Sequence, residues 1–344
     1  MMTSSMIKFI TIMPKVELHV HLEGSIKPET LLILAERNDV SLPAGNIEDL
    51  RKWYQFKDLA HFCDIYMLIC NCIKTSEDME LVTAEFLKDR ARQNILYSEV
   101  IFTPYSHVEN IKLNDQLEAI TKARNEAYRK YGVTIGLVVD LSRQVRPVKH
   151  SIQIAKWAVK NMNKGVVGFG LGGPELGNPP ELFEEAFNIA YNAGLPSLPH
   201  AGESDGPESI WGAINALKAI RIGHGVRCLE DPELVDFLRE KQIPLDVCPS
   251  SNVCLNVVNS IEEHPLVKLI NEGLFVTLNS DDPPMFNTTL TNEYIKIAEA
   301  FDFDIDTIKK LVLNGLNASL FPLNKKKEMN KEFERQFEKL EREI

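Results

Sequence analysis

The stretch KVELHVHLEGSIKPETLLILAER, residues 15–37, holds a complete strand-and-helix unit and decides how the rest of the chain is interpreted. Its first part, Lys15–His21, alternates between polar and apolar side chains, which is typical of a β-strand. Lys27-Pro28-Glu29 then opens a helix over residues 30–37, because proline is favoured in the first turn of a helix. The stretch therefore predicts a strand, a short turn and a helix in that order.

The same order recurs along the whole chain. Seven further strands are predicted at residues 96–102, 134–141, 166–171, 195–200, 221–224, 243–247 and 274–280. Helical patterns occupy residues 56–73, 77–94, 114–129, 147–162, 180–192, 208–217, 232–240 and 264–271. Strands that alternate with helices in this way predict an α/β fold, a TIM-type (β/α)8 barrel with additional helices in its N-terminal half. An open doubly wound sheet is the alternative.

No low-complexity linker divides the chain, so residues 1–344 are expected to form a single domain. The last part, residues 324–344, predicts a charged C-terminal helix with a solvated face on the outside of the barrel.

Composition and charge limit the class of protein. The chain has 344 residues, 44% of them hydrophobic, and a net charge of −11, which argues against broad binding to nucleic acid or to anionic membranes. No apolar run approaches the roughly 20 residues that a membrane span needs, and the start lacks the pattern of a signal peptide. The six cysteines fit reduced thiols and lack zinc-finger spacing. We therefore expect a cytoplasmic protein whose partner is a small molecule.

Polar side chains follow several predicted strands at the end where a barrel carries its active site. His19 and His21 are two residues apart in one strand and share a face, and paired imidazoles suit zinc. Other strand ends carry His200, Glu203, His224, Asp281 and Asp282. Each residue alone is compatible with a buried histidine or a helix cap, whereas their joint occurrence indicates a site. The remaining histidines are interpreted as packing or surface residues: His61, His107, His150 and His264.

These motifs together resemble the adenosine deaminase family of metal-dependent hydrolases, over residues 14 to about 322. The resemblance is carried by PKVELHVHLEG at residues 14–24, GFGLGGPE at 168–175, HAGE at 200–203, IGHG at 222–225 and NSDDP at 279–283. It implies one Zn²⁺ held by His19, His21, His200 and Asp281, a donor set that fits the ligand preferences of zinc. Such an ion would lower the pKa of a water molecule towards neutrality.

The resemblance also implies how a 6-aminopurine is deaminated. His224 would orient the attacking water and assist its deprotonation, and Asp281 would accept a hydrogen bond from it. Glu203 would donate a proton to N1, which requires a raised pKa. The remaining expected substrate contacts are His21, Glu23 near the ribose, the Gly173 N–H at N3 and Asp282 at N7.

The substrate is less sharply indicated than the reaction. Glu23 stands where animal-type members usually have Asp, and Gly170 replaces another usual Asp in the fourth strand. Two motifs are closer to a bacterial branch that includes deaminases of 6-aminodeoxyfutalosine, whose benzoate would want a cation such as Arg143 or Arg146. We expect adenosine as substrate, with aminodeoxyfutalosine as the alternative. Residues 53–71 are interpreted either as a lid over the purine or as core.

Other functions are weaker alternatives. Pro284-Met285-Phe286 argues against free adenine as substrate, and the lack of a Gly-rich phosphate loop argues against AMP. A two-metal amidohydrolase would need a lysine at the end of the fourth strand, where this chain is glycine-rich. A purine-binding protein without activity would be expected to have lost Glu203 or a metal ligand. The signature of the cytidine deaminases is absent from the sequence.

Overall fold

The computed structural model describes residues 3–144 and 149–343 of the chain. The strands in these residues are β1 (Lys15–His21), β2 (Ile95–Phe102), β3 (Thr134–Ser142), β4 (Val166–Gly172), β5 (His200–Ala201), β6 (Ile222–His224), β7 (Leu245–Val247) and β8 (Val276–Leu278). They pair in parallel in the orders β1-β2-β3-β4 and β5-β6-β7-β8. Bridges from Phe169 to Ser197 and from Val20 to Asp281 join these two groups at both edges. The strands therefore close into the predicted (β/α)8 barrel.

Helices surround the strands. They are α1 (Ser4–Ile12), α2 (Pro28–Arg37), α3 (Ile47–Trp53), α4 (Leu59–Cys70), α5 (Ser76–Arg92), α6 (Leu113–Tyr131), α7 (Lys149–Lys160), α8 (Glu184–Asn192), α9 (Pro207–Asn215), α10 (Pro232–Lys241), α11 (Pro249–Cys254), α12 (Leu266–Asn271), α13 (Leu290–Phe301), α14 (Ile305–Ala318) and α15 (Leu323–Glu343). The extra helices of the N-terminal half lie between β1 and β2, as predicted. Helices α1, α3, α11, α13 and α14 were not predicted.

Short 3₁₀ helices complete the chain's regular structure within the described residues. They are Glu23–Ser25, Pro104–His107, Met162–Lys164, Pro180–Phe183 and Val226–Glu230.

The fifth strand is shorter than predicted. The sequence predicts it over residues 195–200, whereas β5 comprises only His200–Ala201. Pro196 and Pro199 lack the N–H that a strand ladder needs, so the regular pairing is interrupted there. Ser197 still bridges to Phe169, and this contact keeps the segment in the barrel wall. His200 consequently lies at the carboxyl end of the wall, beside the neighbouring strand β6.

A charged cluster fills part of the barrel interior. Arg221, 2% exposed, donates from Nε to Asp246 Oδ2 at 2.7 Å and from a guanidinium nitrogen to Glu99 Oε2 at 2.6 Å. It also donates to the carbonyls of Leu18 and Ala318. The charges of a buried ion pair have to be paired to offset their lost hydration. Arg221, directly before β6, thus links that strand to Glu99 in β2 and Asp246 in β7.

The C-terminal helix α15 is only partly the solvated helix that its charge predicts. Its inner face buries Phe333, Phe337 and Leu340, and the ring of Phe337 lies 5.9 Å from that of Phe9 in α1. Helices α1 and α15 therefore pack against each other through apolar side chains. Among the helices of the described residues, α15 included, none has the length and apolar character to cross a membrane.

Candidate metal and catalytic site

A cavity lies at the carboxyl ends of the strands. Residues that the sequence places at separate strand ends meet in its wall: His21, Gly173, His200, Glu203, His224, Asp281 and Asp282. Helix α4 covers one side with Leu59, Phe62, Cys63, Tyr66 and Met67. Residues 53–71 therefore contribute to the cavity as well as to the core.

The four side chains implied as metal ligands converge in the structure. Asp281 Oδ1 lies 3.5 Å from His19 Nε2 and 3.3 Å from His21 Nε2. His21 Nε2 and His200 Nε2 are 3.2 Å apart. Ligand atoms of His19, His200, His224 and Asp281 all lie within 4.8 Å of one another. His224 therefore joins three of the implied ligands in this group, whereas His21 groups with Asp281 and Asp282 and reaches the others through its contacts with Asp281 and His200.

These residues fit a zinc ion. His19 Nε2 is buried and has no hydrogen-bond partner among residues 3–144 and 149–343, although burying a polar atom without a partner is costly. His200 donates from Nδ1 to the Leu171 carbonyl at 3.0 Å, which leaves its Nε2 lone pair directed at the cluster. Burial and the neighbouring His19 and His21 lower the pKa of His200 well below its ordinary value, so it stays neutral as a ligand must.

Barrel closure brings the ligands of β1 next to Asp281. The Asp281 N–H donates to the His19 carbonyl at 3.1 Å, and the His21 N–H donates to the Asp281 carbonyl at 2.9 Å. The Ser280 N–H donates to Glu17 Oε1 at 3.1 Å. Asp281 has φ +62°, in the left-handed region that non-glycine residues rarely adopt. Such strain is typical of functional sites, where the surrounding structure holds the residue in place.

Glu203 and His224 lie beside the metal-ligand cluster. His224 Nε2 is 3.6 Å from Glu203 Oε1 and 3.8 Å from Asp281 Oδ2. Asn252 Nδ2 lies 3.4 Å from His224 Nδ1, so Nε2 is the atom that faces the cluster. Burial lowers the pKa of His224 to about 3, whereas burial and the charges of Asp281 and Glu175 raise the pKa of Glu203 well above its ordinary value. A neutral imidazole and a protonated carboxyl suit a base and an acid, respectively.

The family model described as adenosine deaminase matches residues 14–336 of the chain. The chain belongs to the adenosine deaminase family. It is 39% identical to an aminodeoxyfutalosine deaminase of Streptomyces avermitilis, over 90% of this chain and 87% of that protein. It is 37% identical to an adenine deaminase of Crocosphaera subtropica, over 92% of this chain and 97% of that protein. As a member of this family the protein is a hydrolytic deaminase that acts on C–N bonds.

Two solved structures share the fold of this chain. The adenine deaminase of Arthrobacter aurescens aligns with a TM-score of 0.90 and 31% identity, over 95% of this chain and 99% of that one. An amidohydrolase of Burkholderia ambifaria with bound Zn aligns with a TM-score of 0.91 and 25% identity, over 99% and 94% of the two chains.

Glu175 holds the loop that carries Glu203, a role that the sequence did not indicate. Its carboxylate accepts backbone N–H bonds from Gly202 at 2.8 Å, Glu203 at 2.9 Å and Ser204 at 2.8 Å, and it also accepts from the hydroxyl of Ser209. Burial would raise its pKa, but these bonds and the charge of Arg143 lower it. The motif at residues 168–175 contains Glu175, yet nothing in the sequence specifies a bond to a loop 28 residues away.

The structure places Glu23 differently from the prediction. Its side chain is fully buried and does not line the cavity, whereas the sequence predicted a contact with the ribose. Its carboxylate accepts hydrogen bonds from Tyr66 Oη at 3.3 Å and Thr103 N–H at 3.1 Å, and it lies 3.2 Å from His107 Nε2. Glu23 thus positions Tyr66, which does line the cavity. His107 is a buried packing residue, as predicted.

Gly173 and Asp282 lie in the cavity wall as the prediction requires. Gly173 has φ +91°, a conformation that favours glycine and leaves its backbone accessible. Asp282 Oδ1 is buried without a hydrogen-bond partner in the part of the chain that the structure describes. A Cβ on Gly24 would lie 1.6 Å from this oxygen, so only glycine leaves Asp282 room at this position.

Arg143 is not available to a benzoate, contrary to the hypothesis from the sequence. It is fully buried and donates to the carbonyls of Asn178 and His200. The backbone turns directly after β3, at residues 143 and 144, and the Asn178 and His200 carbonyls hold the buried guanidinium. Arg146, the second residue of that hypothesis, lies outside the described residues.

Proposed function

We propose that this protein is a zinc-dependent hydrolytic deaminase of a 6-aminopurine nucleoside, which converts adenosine and water to inosine and ammonia. The observation that carries the proposal is the convergence of His19, His21, His200 and Asp281 directly beside Glu203 and His224. Three nitrogen ligands and one carboxylate are a donor set that zinc prefers.

Zinc would be held by these four side chains and would supply a water that is acidic enough to lose a proton near neutral pH. His224 Nε2, which faces the cluster, orients the attacking water and accepts its proton. Asp281 Oδ2 accepts a hydrogen bond from the same water. These groups are pre-positioned by the protein, so little reorganisation is needed when the substrate binds.

The purine has to accept electrons when oxygen adds at C6. Glu203 donates a proton to N1, and the Gly173 N–H donates to N3. Burial and the charge of Asp281 raise the pKa of Asp282, and the protonated carboxyl donates a hydrogen bond to N7. Collapse of the adduct breaks the C6–N6 bond: the proton that His224 accepted from water passes to the amino group, which leaves as ammonia, and the proton on O6 restores the carboxyl of Glu203. The raised pKa of Glu203 keeps it protonated for this first donation.

The rest of the cavity wall supports an uncharged sugar. It presents the hydroxyls of Thr103, Ser106 and Ser142 and the amide of Gln144, which suit ribose hydroxyls. Among the side chains of residues 3–144 and 150–343, no Lys or Arg lines the cavity to pair with a phosphate or a benzoate. The second candidate substrate is 6-aminodeoxyfutalosine, because a relative with 39% identity carries that name. Adenine is the third candidate substrate, because a relative with 37% identity is named adenine deaminase.

A substrate panel tests the proposal. Purified zinc-loaded protein is incubated with adenosine, 2′-deoxyadenosine, adenine, N6-methyl-AMP and aminodeoxyfutalosine, and ammonia release is measured. We expect the highest kcat/KM with adenosine. A preference of tenfold or more for adenine or aminodeoxyfutalosine would replace the nucleoside assignment, and no turnover of any 6-aminopurine would overturn the proposal itself.

A further inference from the structure

Asp140 is a buried carboxylate in the cavity wall that the proposed mechanism does not use. It lies in β3, is only 3% exposed, and lines the cavity together with Ser142 on the same face of the strand. Its Oδ1 is buried and has no hydrogen-bond partner in the part of the chain that the structure describes. Because a buried carboxylate oxygen without a partner is costly, this atom indicates a ligand or a positioning role.

Two glycines of the neighbouring strand make room for this carboxylate. Asp140 pairs with Gly170 in the register of β3 and β4. A Cβ on Gly170 would lie 2.4 Å from Asp140 Oδ1, and a Cβ on Gly172 would lie 2.8 Å from Asp140 Oδ2. A side chain at either glycine would therefore collide with the Asp140 carboxylate.

The position of Asp140 relative to the cluster limits what it can contact. The Cβ position built on Gly172 lies 2.8 Å from Asp140 Oδ2 and 3.5 Å from His200 Cε1. The side chains of Asp140 and His200 therefore flank the same space. Asp140 therefore lies beside the metal-ligand cluster, on the wall formed by β3 and β4. Glu203 follows β5, His224 is the last residue of β6, and Asp282 follows β8, so these residues approach a substrate from other sides.

If the substrate is the 6-aminopurine of the proposed function, its chemistry limits which of its atoms Asp140 can contact. Burial raises the pKa of Asp140 to about 7, and above that pH the ionised carboxylate only accepts hydrogen bonds, whereas N1, N3 and N7 of a neutral 6-aminopurine are acceptors themselves. The amino group, which also carries N–H donors, is the leaving group on C6 and faces the metal-ligand cluster in the proposed mechanism. The donors that remain are N9–H in a free base and the sugar hydroxyls in a nucleoside.

We propose that Asp140 is a specificity-determining residue that accepts a hydrogen bond from the N9 side of the substrate. It distinguishes substrates by whether that side carries a donor, either N9–H or a hydroxyl of the N9 substituent. The competing role is a purely structural one, in which Asp140 supports His21 and His200 of the metal-ligand cluster.

The test compares Asp140→Asn, which keeps the shape of the side chain, with Asp115→Asn, the same change on the exposed surface of α6. Both zinc-loaded variants are assayed with matched substrates: adenine against 9-methyladenine, and adenosine against its 2′-, 3′- and 5′-deoxy analogues. Zinc content is measured for each variant, and the binding of inosine and its deoxy analogues is measured by calorimetry.

We expect Asp140→Asn to lower kcat/KM roughly 10- to 100-fold for a substrate that carries the donor, with full zinc content. The analogue that lacks the donor should lose less than about threefold. Selective loss with adenine identifies N9–H as the donor, and selective loss with adenosine identifies the hydroxyl whose removal abolishes the effect. Asp115→Asn should match the unaltered protein.

Equal losses on matched substrates, no loss at all, or loss of zinc would each overturn the assignment of Asp140 to the substrate. These results differ from a failure of the proposed function, in which the unaltered protein itself would deaminate none of the 6-aminopurines.

Discussion

The carboxylate of Glu175 accepts a hydrogen bond from the backbone N–H of Glu203 at 2.9 Å. Two residues that are far apart in sequence are therefore linked so that one carboxylate fixes the backbone from which the other acts. Further bonds from Gly202 and Ser204 to Glu175 leave this loop little freedom. The geometry of the proposed acid thus depends on a residue that does not itself reach the reacting atoms.

Glu175→Gln is expected to lower kcat roughly 10- to 100-fold while zinc content stays unchanged, because the amide NH₂ faces N–H donors and displaces the loop. Steady-state kinetics and metal analysis check this. Glu208→Gln, an exposed change in the next helix, is the control and should have no effect. An unchanged kcat in Glu175→Gln would show that the loop keeps its geometry without the carboxylate.

Glu203→Gln is expected to reduce kcat by about 10² to 10⁴, since the amide cannot protonate N1. Zinc should remain at one ion per chain because the ligands are untouched. Single-turnover assays with adenosine, together with elemental analysis, measure both quantities. Survival of most of the activity would refute the proposed protonation.

His200→Ala is expected to lose zinc and, with it, turnover, because three ligands hold the ion much less tightly than four. In the unaltered protein, a chelator should abolish activity and added Zn²⁺ should restore it. His150→Ala, which removes a histidine remote from the cluster, serves as the control. Stoichiometric zinc in purified His200→Ala would contradict the ligand assignment.

Gly24→Ala is expected to lower kcat/KM at least tenfold, because the new Cβ would lie 1.6 Å from Asp282 Oδ1 and would push that carboxylate from its position. Gly45→Ala is the matched control, since nothing lies within 4 Å of a Cβ there. The control should retain full activity. Equal activity of both variants would show that Asp282 tolerates displacement.

Arg221→Met is expected to lower the free energy of unfolding by about 3 to 5 kcal/mol, because it leaves Glu99 and Asp246 buried without their cation. Urea unfolding followed by circular dichroism measures the change. Arg335→Met, in an exposed pair with Glu332, should change the stability by less than about 1 kcal/mol. A loss as small as that of Arg335→Met would mean that the interior cluster is not a stabilising unit.

The alternation of strand and helix patterns was enough to predict the barrel. Polar residues at the strand ends were enough to predict which end of the barrel carries the site. The alternation in Lys15–His21 identified a strand and placed two histidines on one face, and the apolar runs that end at His200 and His224 identified two others. The resemblance to the adenosine deaminase family then connected these residues with the zinc chemistry. The predictions that were wrong concern places where a tertiary contact overrides the local sequence pattern. The prolines at 196 and 199 shortened β5, and burial took Glu23 and Arg143 out of the cavity.

The sequence by itself determined the kinds of donor, their order along the chain and their placement at strand ends, because the periods of strands and helices are local properties. Only the tertiary structure decided which distant groups meet: Asp281 beside His19, Glu175 under the Glu203 loop, and Asp140 in the space left by Gly170. These contacts follow from barrel closure and from the register between strands. Both are set by the simultaneous packing of all eight strands, which no short stretch of the chain specifies.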